Sequence, residues 1–310
     1  MASVSILHPS GDGSAPLHSG APHDTGQVGE FHRDGAGTPL LLLHGANMSW
    51  RAWRPVLPFL IGRHDVFVPT MAGHRGGPSV AADVAPGVGA AVDSLCDQMD
   101  RAGIETAHIA GNSLGGWAAL ELARRGRARS VTAISPAGCW RSERDLARLL
   151  LMVRVARTAI GARPLRALAA NPALRRAWLG RVVQYPDRVP AEALPEMIED
   201  ALACTALAAA LDGRSPLLPM EPLDVAVCPI RVAWAQNDRT IPWRRYGHPM
   251  QAIIPGADFV TLPGVGHVPM SDDPRLVART ILEVTSAVDE AAQDPVRRPR
   301  RRATRAKLSA

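Results

Sequence analysis

Residues 107–123, AHIAGNSLGGWAALELA, decide the fold. The run AHIA has the length and apolar character of a buried strand, and LGGWAALELARR from Leu114 onward has that of a helix. Between them Gly111-Asn112-Ser113-Leu114-Gly115 matches G-x-S-x-G. The five-residue pattern alone is weak, and an incidental serine in a strand–helix turn would look the same. Its place directly after a strand and at the opening of a helix is the arrangement of a nucleophile elbow. Such a turn is tight, so small residues must flank the serine where its backbone crowds strand and helix. Gly111, Gly115 and Gly116 meet that need.

Upstream, PLLLL (39–43) is a continuous apolar run ending in His-Gly, as expected of a strand covered on both faces. WRAWRPVLPFL (50–60) has apolar residues at roughly helical spacing, and HDVFVPT (64–70) is a second strand closed by the breaker-rich AGHRGGP. Val88, Val92, Leu95 and Met99 form one helical stripe that Gly103 ends. Downstream of the elbow, SVTAIS (130–135) is a strand. Residues 140–215 then read as Arg/Ala/Leu-rich helices broken at Pro164, Pro172, Pro186, Pro190 and Pro195. Strands return at PIRVAWA (229–235) and ADFVTLP (257–263), before a final helix, PRLVARTILEVTSAV. The alternation implies an α/β fold with a mostly parallel central sheet flanked by helices, interrupted by a helical block. The expected organisation is a leader or edge strand over 1–30, a core over 31–139 and 216–288, the helical block at 140–215, and a disordered basic tail at 289–310.

A serine hydroxyl needs a base beside it, and histidine has the right pKa range. Of ten histidines, His8, His18, His23, His32, His44, His64 and His74 precede the elbow, and His108 lies in its strand. His248 falls in a helix. His267, in LPGVGHVPM, occupies a Gly-rich loop after the last strand, at the edge where parallel sheets place catalytic groups. The acid belongs between serine and base in chain order. Asp238, in WAQNDRTIP, emerges at that same edge and would hold the imidazole tautomer. Asp224 and Asp258 precede their strands, Asp272 and Asp273 suit caps of the last helix, and Asp212 is the remaining competitor. Oxyanion donors are expected from the backbone N–H groups of Leu114 and Ala46. His44 reads as a prop for the Ala46 loop.

Five segments in order, LLLHGANMSWRAW, VFVPTMAGHRGGP, AHIAGNSLGGWAALELA, VAWAQNDRTIP and LPGVGHVPM, resemble the α/β-hydrolase superfamily, specifically its cap-bearing esterase and lipase-like members. The resemblance spans residues 39 to about 288. It implies that 140–215 is a helical cap and that the chain is a serine hydrolase acting on a small, largely apolar carboxylic ester. Thr70 departs from the acidic residue often found before the glycine-rich loop. Serine at the elbow speaks against haloalkane dehalogenases and epoxide hydrolases, which carry aspartate there. Asn112 keeps carbon–carbon bond hydrolases of ring-cleavage products as an alternative, although HGANMS lacks the Gly-Pro-Gly stretch of that family and Val268 stands where it tends to have tryptophan; thioester cleavage on the same fold is a further alternative. A non-hydrolytic binding protein is a third reading, set against a complete triad.

With 46% hydrophobic residues in 310, the chain can bury a large core. No run approaches the ~20 apolar residues of a membrane span. The N-terminus lacks the pattern of a secretory signal, so a cytoplasmic location is the default. Cys96, Cys139, Cys204 and Cys228 are too scattered for a zinc site or disulfide frame and are expected free. Neither cofactor nor metal is implied. The net charge of +6 comes from the last sixteen residues, which carry six arginines and one lysine without an acid. No specific nucleic-acid site is expected in the folded part. The tail suits weak, nonspecific anion binding at most. The cap sequence from Leu146 is basic and amphipathic, which also fits a membrane-surface helix, but packing over the site explains its apolar face more simply. Leu149, Leu150, Met152, Val153 and Trp178 are the candidate pocket-lining residues.

Overall fold

The computed structural model describes residues 30–80, 87–161, 171–214 and 217–293. A seven-stranded sheet runs in the order β1-β3-β2-β4-β5-β6-β7. Its strands are β1 (Phe31–Gly35), β2 (Thr38–Leu43), β3 (His64–Pro69), β4 (Ala107–Asn112), β5 (Ala128–Ile134), β6 (Ile230–Ala235) and β7 (Asp258–Leu262). All neighbours pair in parallel except β1, which runs antiparallel to β3 at the edge. In β2 the four leucines are fully buried, because alternate side chains enter two separate cores. Leu41 and Leu43 join Val92, Leu95 and Met99 of α1 (Val88–Arg101), together with α2 (Leu114–Arg124). Leu40 and Leu42 pack on the other face with Trp53, Leu60 and the long C-terminal helix.

The strand order sets the site. Leu43 stands beside Gly111 and Asn112 beside Ile134, so β2, β4 and β5 finish on one edge. The loops that follow β6 and β7 leave from the same edge.

Between β5 and β6 the described residues contain helices but no strand. These are α3 (Glu143–Gly161), α4 (Pro172–Leu179), α5 (Ala193–Ala203) and α6 (Thr205–Leu211), with a tight turn at Pro186–Arg188. Asn171 caps α4, accepting from the N–H groups of Ala173 and Leu174, and Pro172 occupies the first helical position, where a missing N–H costs nothing. Cys204 adopts an extended backbone that separates α5 from α6. The next two amides, Thr205 and Ala206, donate to the carbonyl of Gly73, anchoring the helical insertion on the loop after β3. Beyond β6 come α7 (His248–Ile253) and α8 (Pro274–Gln293).

Three details depart from expectation. Residues 31–35 form the edge strand β1, although FHRDG is largely exposed and shows no apolar alternation. Residues 50–60 form two short tight turns, Trp50–Trp53 and Leu57–Phe59, instead of a helix. Pro55 and Pro58 remove the N–H donors that a continuous helix would use. The last helix continues to Gln293, five residues beyond the expected end of the core at 288. Asp289, placed in the tail by sequence, instead bonds the buried His108 Nε2 and Arg129 from α8, each at 3.0 Å. The expected leader up to residue 29 and the expected tail from 294 lie outside the described residues. The four cysteines are free thiols, Cys96 half-buried and the others buried.

Candidate active site

Ser113 joins β4 to α2 with φ 56° and ψ −115°. A non-glycine residue in this region stores roughly 1–3 kcal/mol of strain, which only a surrounding structure that over-determines it sustains. Here the neighbours do so. A Cβ on Gly111 would lie 2.1 Å from the Gly115 carbonyl oxygen, and one on Gly115 would lie 2.3 Å from the Leu43 oxygen. The elbow is therefore possible only with glycine at both positions. Ser113 N–H donates to Ile134 O at 2.9 Å, and the Ser113 carbonyl accepts from Trp117 and Ala137.

His267 and Asp238 meet where the loops after β7 and β6 come together. His267 Nδ1 lies 2.7 Å from Asp238 Oδ2, and both residues are buried. The other oxygen, Oδ1, accepts from the N–H groups of Thr240 at 2.9 Å and Ile241 at 2.8 Å. These contacts fix the orientation of the carboxylate toward the imidazole. A carboxylate can only accept, so the contact assigns the donor hydrogen to Nδ1 and leaves Nε2 as the other ring nitrogen.

Ser113, Leu114, Ala46 and His267 line one cavity of about 950 Å³, with Asp238 set behind the imidazole. Leu114 is the first residue of α2, where a backbone N–H has no acceptor within the helix. Ala46 precedes Asn47, whose positive φ of 64° turns the loop. All five residues of the helical insertion anticipated from sequence, Leu149, Leu150, Met152, Val153 and Trp178, line the same cavity. Trp117, Trp140 and Ile241 add to its mostly apolar wall.

The other candidates lie elsewhere or do other work. Asp212 is exposed and pairs with Arg214. Asp258 pairs with Arg231 at the opposite end of the sheet. Asp273 does cap α8, accepting from Leu276 N–H. Asp272 does not. Its buried carboxylate accepts from the N–H groups of Gln184, Tyr185 and Gly266, because its single helical turn (Pro269–Asp272) ends facing the insertion.

His44 is fully buried, its Nδ1 on the Gly45 carbonyl and its Nε2 accepting from Met71 N–H at 3.0 Å. Burial, with His74 beside it, pulls its pKa down to about 3, so it is a neutral staple between the loops after β2 and β3. Thr70, the departure from the family pattern, is buried and accepts from Trp50 N–H.

Two residues of the site carried no sequence signal for their part in it. Asn112 Nδ2 donates to the His267 carbonyl at 2.9 Å, tying the elbow to the histidine loop. Asp272 ties that loop to the insertion. Among the described residues no cluster of three or more His, Cys, Asp or Glu is placed to hold a metal ion, and no helix is long and apolar enough to cross a membrane.

The model of the Alpha/beta hydrolase family matches residues 40–280. Over 206 residues the chain is 36% identical to a Mycobacterium tuberculosis protein named epoxide hydrolase EphH, covering 64% of this chain and 93% of that one. It is 36% identical over 113 residues to 2-hydroxymuconate semialdehyde hydrolase of Pseudomonas sp., covering 35% of this chain and 40% of the relative. Among solved structures, a thermophilic esterase from Thermogutta terrifontis shares the fold with a TM-score of 0.63 at 23% identity, covering 83% of this chain and 93% of the esterase.

Proposed function

Since the chain belongs to the α/β-hydrolase family, we propose that it is a serine hydrolase that cleaves a small, largely apolar carboxylic ester through an acyl-enzyme. Ser113 is the nucleophile in this reading, His267 the base and Asp238 the acid that orients it. The observation that carries it is the His267–Asp238 hydrogen bond on the same cavity as a strained, glycine-flanked serine.

The chemistry runs in two halves. His267 Nε2 takes the Ser113 proton as Oγ attacks the ester carbonyl, and Asp238 stabilises the imidazolium that forms. The N–H groups of Leu114 and Ala46 receive the oxyanion. The imidazolium then protonates the leaving alcohol, and water repeats the sequence on the acyl-serine. The helical insertion acts as a cap, its apolar side chains receiving the hydrocarbon part of the substrate and excluding water from the carbonyl.

The relative named as an epoxide hydrolase raises a second reading. A serine that opened an epoxide would be left as an alkyl ether, which has no carbonyl for water to attack. Ser113 therefore favours acyl transfer. Carbon–carbon and thioester cleavage pass through the same acyl-serine chemistry and remain the alternative within it. The test is turnover of esters of graded chain length, a thioester, a dienone ring-cleavage product and an epoxide by the pure protein. The reading expects highest kcat/KM on an ester, lost in Ser113→Ala. Preferred turnover of the epoxide would overturn it.

A further inference from the structure

The segment Gly180–Tyr185 leaves α4 and meets both loops that hold the imidazole–carboxylate pair. On the acid side, Arg239 follows Asp238 directly. Its Nη1 donates to Gly180 O at 2.7 Å and its Nη2 to Gln184 Oε1 at 3.1 Å. The Thr240 hydroxyl donates to Arg181 O at 3.2 Å. On the base side, Val268 N–H donates to Val182 O at 2.8 Å. Gly266 N–H donates to Asp272 Oδ2 at 2.8 Å, and the same carboxylate accepts from Gln184 and Tyr185 N–H at 2.9 and 2.8 Å.

His267 thus stands between two residues whose N–H groups both end on this segment, one directly and one through Asp272. The approach is close: a Cβ on Gly266 would lie 2.8 Å from Gln184 N. Arg188 Nη1 adds a bond to the Asp272 carbonyl at 3.0 Å. A buried carboxylate with three amide donors is well satisfied, and hydrogen bonds of this kind are roughly twice as strong as neutral ones.

We propose that Asp272 is a positioning residue that, with the strap 180–185, fixes the loop presenting His267 to Ser113. This stretch of the insertion is then a fixed part of the catalytic frame and not a lid that swings free. The inference rests on the proposed triad chemistry.

Asp272→Asn tests it. A carboxamide has one acceptor oxygen, so either Gly266 or the Gln184–Tyr185 pair meets an NH₂ group instead. Misplacing a base by around an ångström costs up to ~10²-fold, so kcat should fall roughly 10- to 100-fold with KM nearly unchanged. The rate of Ser113 phosphonylation should fall in parallel. The downfield proton resonance of the His267 Nδ1–H bonded to Asp238 should shift or broaden, a signal that does not depend on turnover. Arg239→Ala, at an exposed residue, cuts two of the three acid-side ties without touching the core and should lower kcat in the same sense.

A folded Asp272→Asn with wild-type kcat and an unmoved resonance would overturn the proposal. If Asp272→Asn does not fold, Arg239→Ala decides. Unchanged kcat with a raised KM would make the segment a substrate wall or lid, and unchanged kcat and KM would equally overturn the strap. Failure of the wild type to label at Ser113 would instead strike the triad reading, and the resonance would still report on the strap.

Discussion

Asp238→Asn separates orientation of the base from everything else the site does. The two carboxylate oxygens of Asp238 have divided tasks: Oδ1 takes the Thr240 and Ile241 amides, and Oδ2 takes the imidazole. A carboxamide has a single oxygen. Turning its NH₂ toward the two amides would set buried donors against a donor, at ~1–3 kcal/mol for each group left unmade. The oxygen therefore stays with the amides and the NH₂ faces His267. Nδ1 must then give up its proton to become the acceptor, and Nε2 carries it. A protonated Nε2 cannot take the Ser113 proton. The expected loss is ~10⁴ in kcat, about 5 kcal/mol of transition-state stabilisation, with the melting temperature nearly unchanged because the two amide bonds persist and the bond to His267 survives in reversed sense. Ester kinetics and thermal melts on the same preparations measure both. The reasoning is refuted if Asp238→Asn keeps most of its activity while Asp212→Asn, at the exposed partner of Arg214, is the damaging change.

Four further outcomes are expected. Gly115→Ala should yield little soluble protein, because a Cβ 2.3 Å from the Leu43 oxygen has only backbone to displace; a variant melting with the wild type would contradict that geometry. Truncation after Val288 removes Asp289 and leaves the buried His108 Nε2 without its partner, so the melt should drop by several degrees for a loss of ~1–3 kcal/mol. Truncation after Gln293 should leave melt and kcat/KM intact and remove only salt-sensitive retention on an anionic matrix. Lastly, stability should decline in acid. The folded-state pKa of His44 is lowered from 6.5 to about 3, first by burial, and His64 and His108 are lowered by burial too. The unfolded chain then takes up protons first, so this contribution is full above the unfolded value and is lost as pH falls toward the folded one. Urea titrations between neutral pH and pH 4 would show it as a falling midpoint, and a flat profile would contradict it.

The parts of the fold legible in the sequence are those where local chemistry leaves no choice. The four leucines of β2 read as a strand because both faces are buried, and the elbow could be read because its glycines are demanded by backbone crowding at Leu43 and Gly115. The nearness of His267 and Asp238 is legible from their place after strands, which a parallel sheet brings to one edge. The edge strand β1 was missed because an exposed strand needs no apolar alternation; its order comes from pairing with β3. The tight turns at 50–60 carry the same apolar residues a helix would, and only Pro55 and Pro58 tell them apart. Asn112 and Asp272 act through partners far along the chain, the His267 carbonyl and the Gln184–Tyr185 amides. No local pattern encodes such ties, so Asp272 looked like one more helix cap.

The most direct measurement is covalent capture. An organophosphonate at neutral pH should modify the wild-type protein once, and peptide mass analysis should place the adduct on Ser113. Ser113→Ala should remove the adduct, and His267→Ala should slow its formation by several orders of magnitude. An adduct on another residue, or one that persists in Ser113→Ala, would contradict the assignment of Ser113 as the nucleophile.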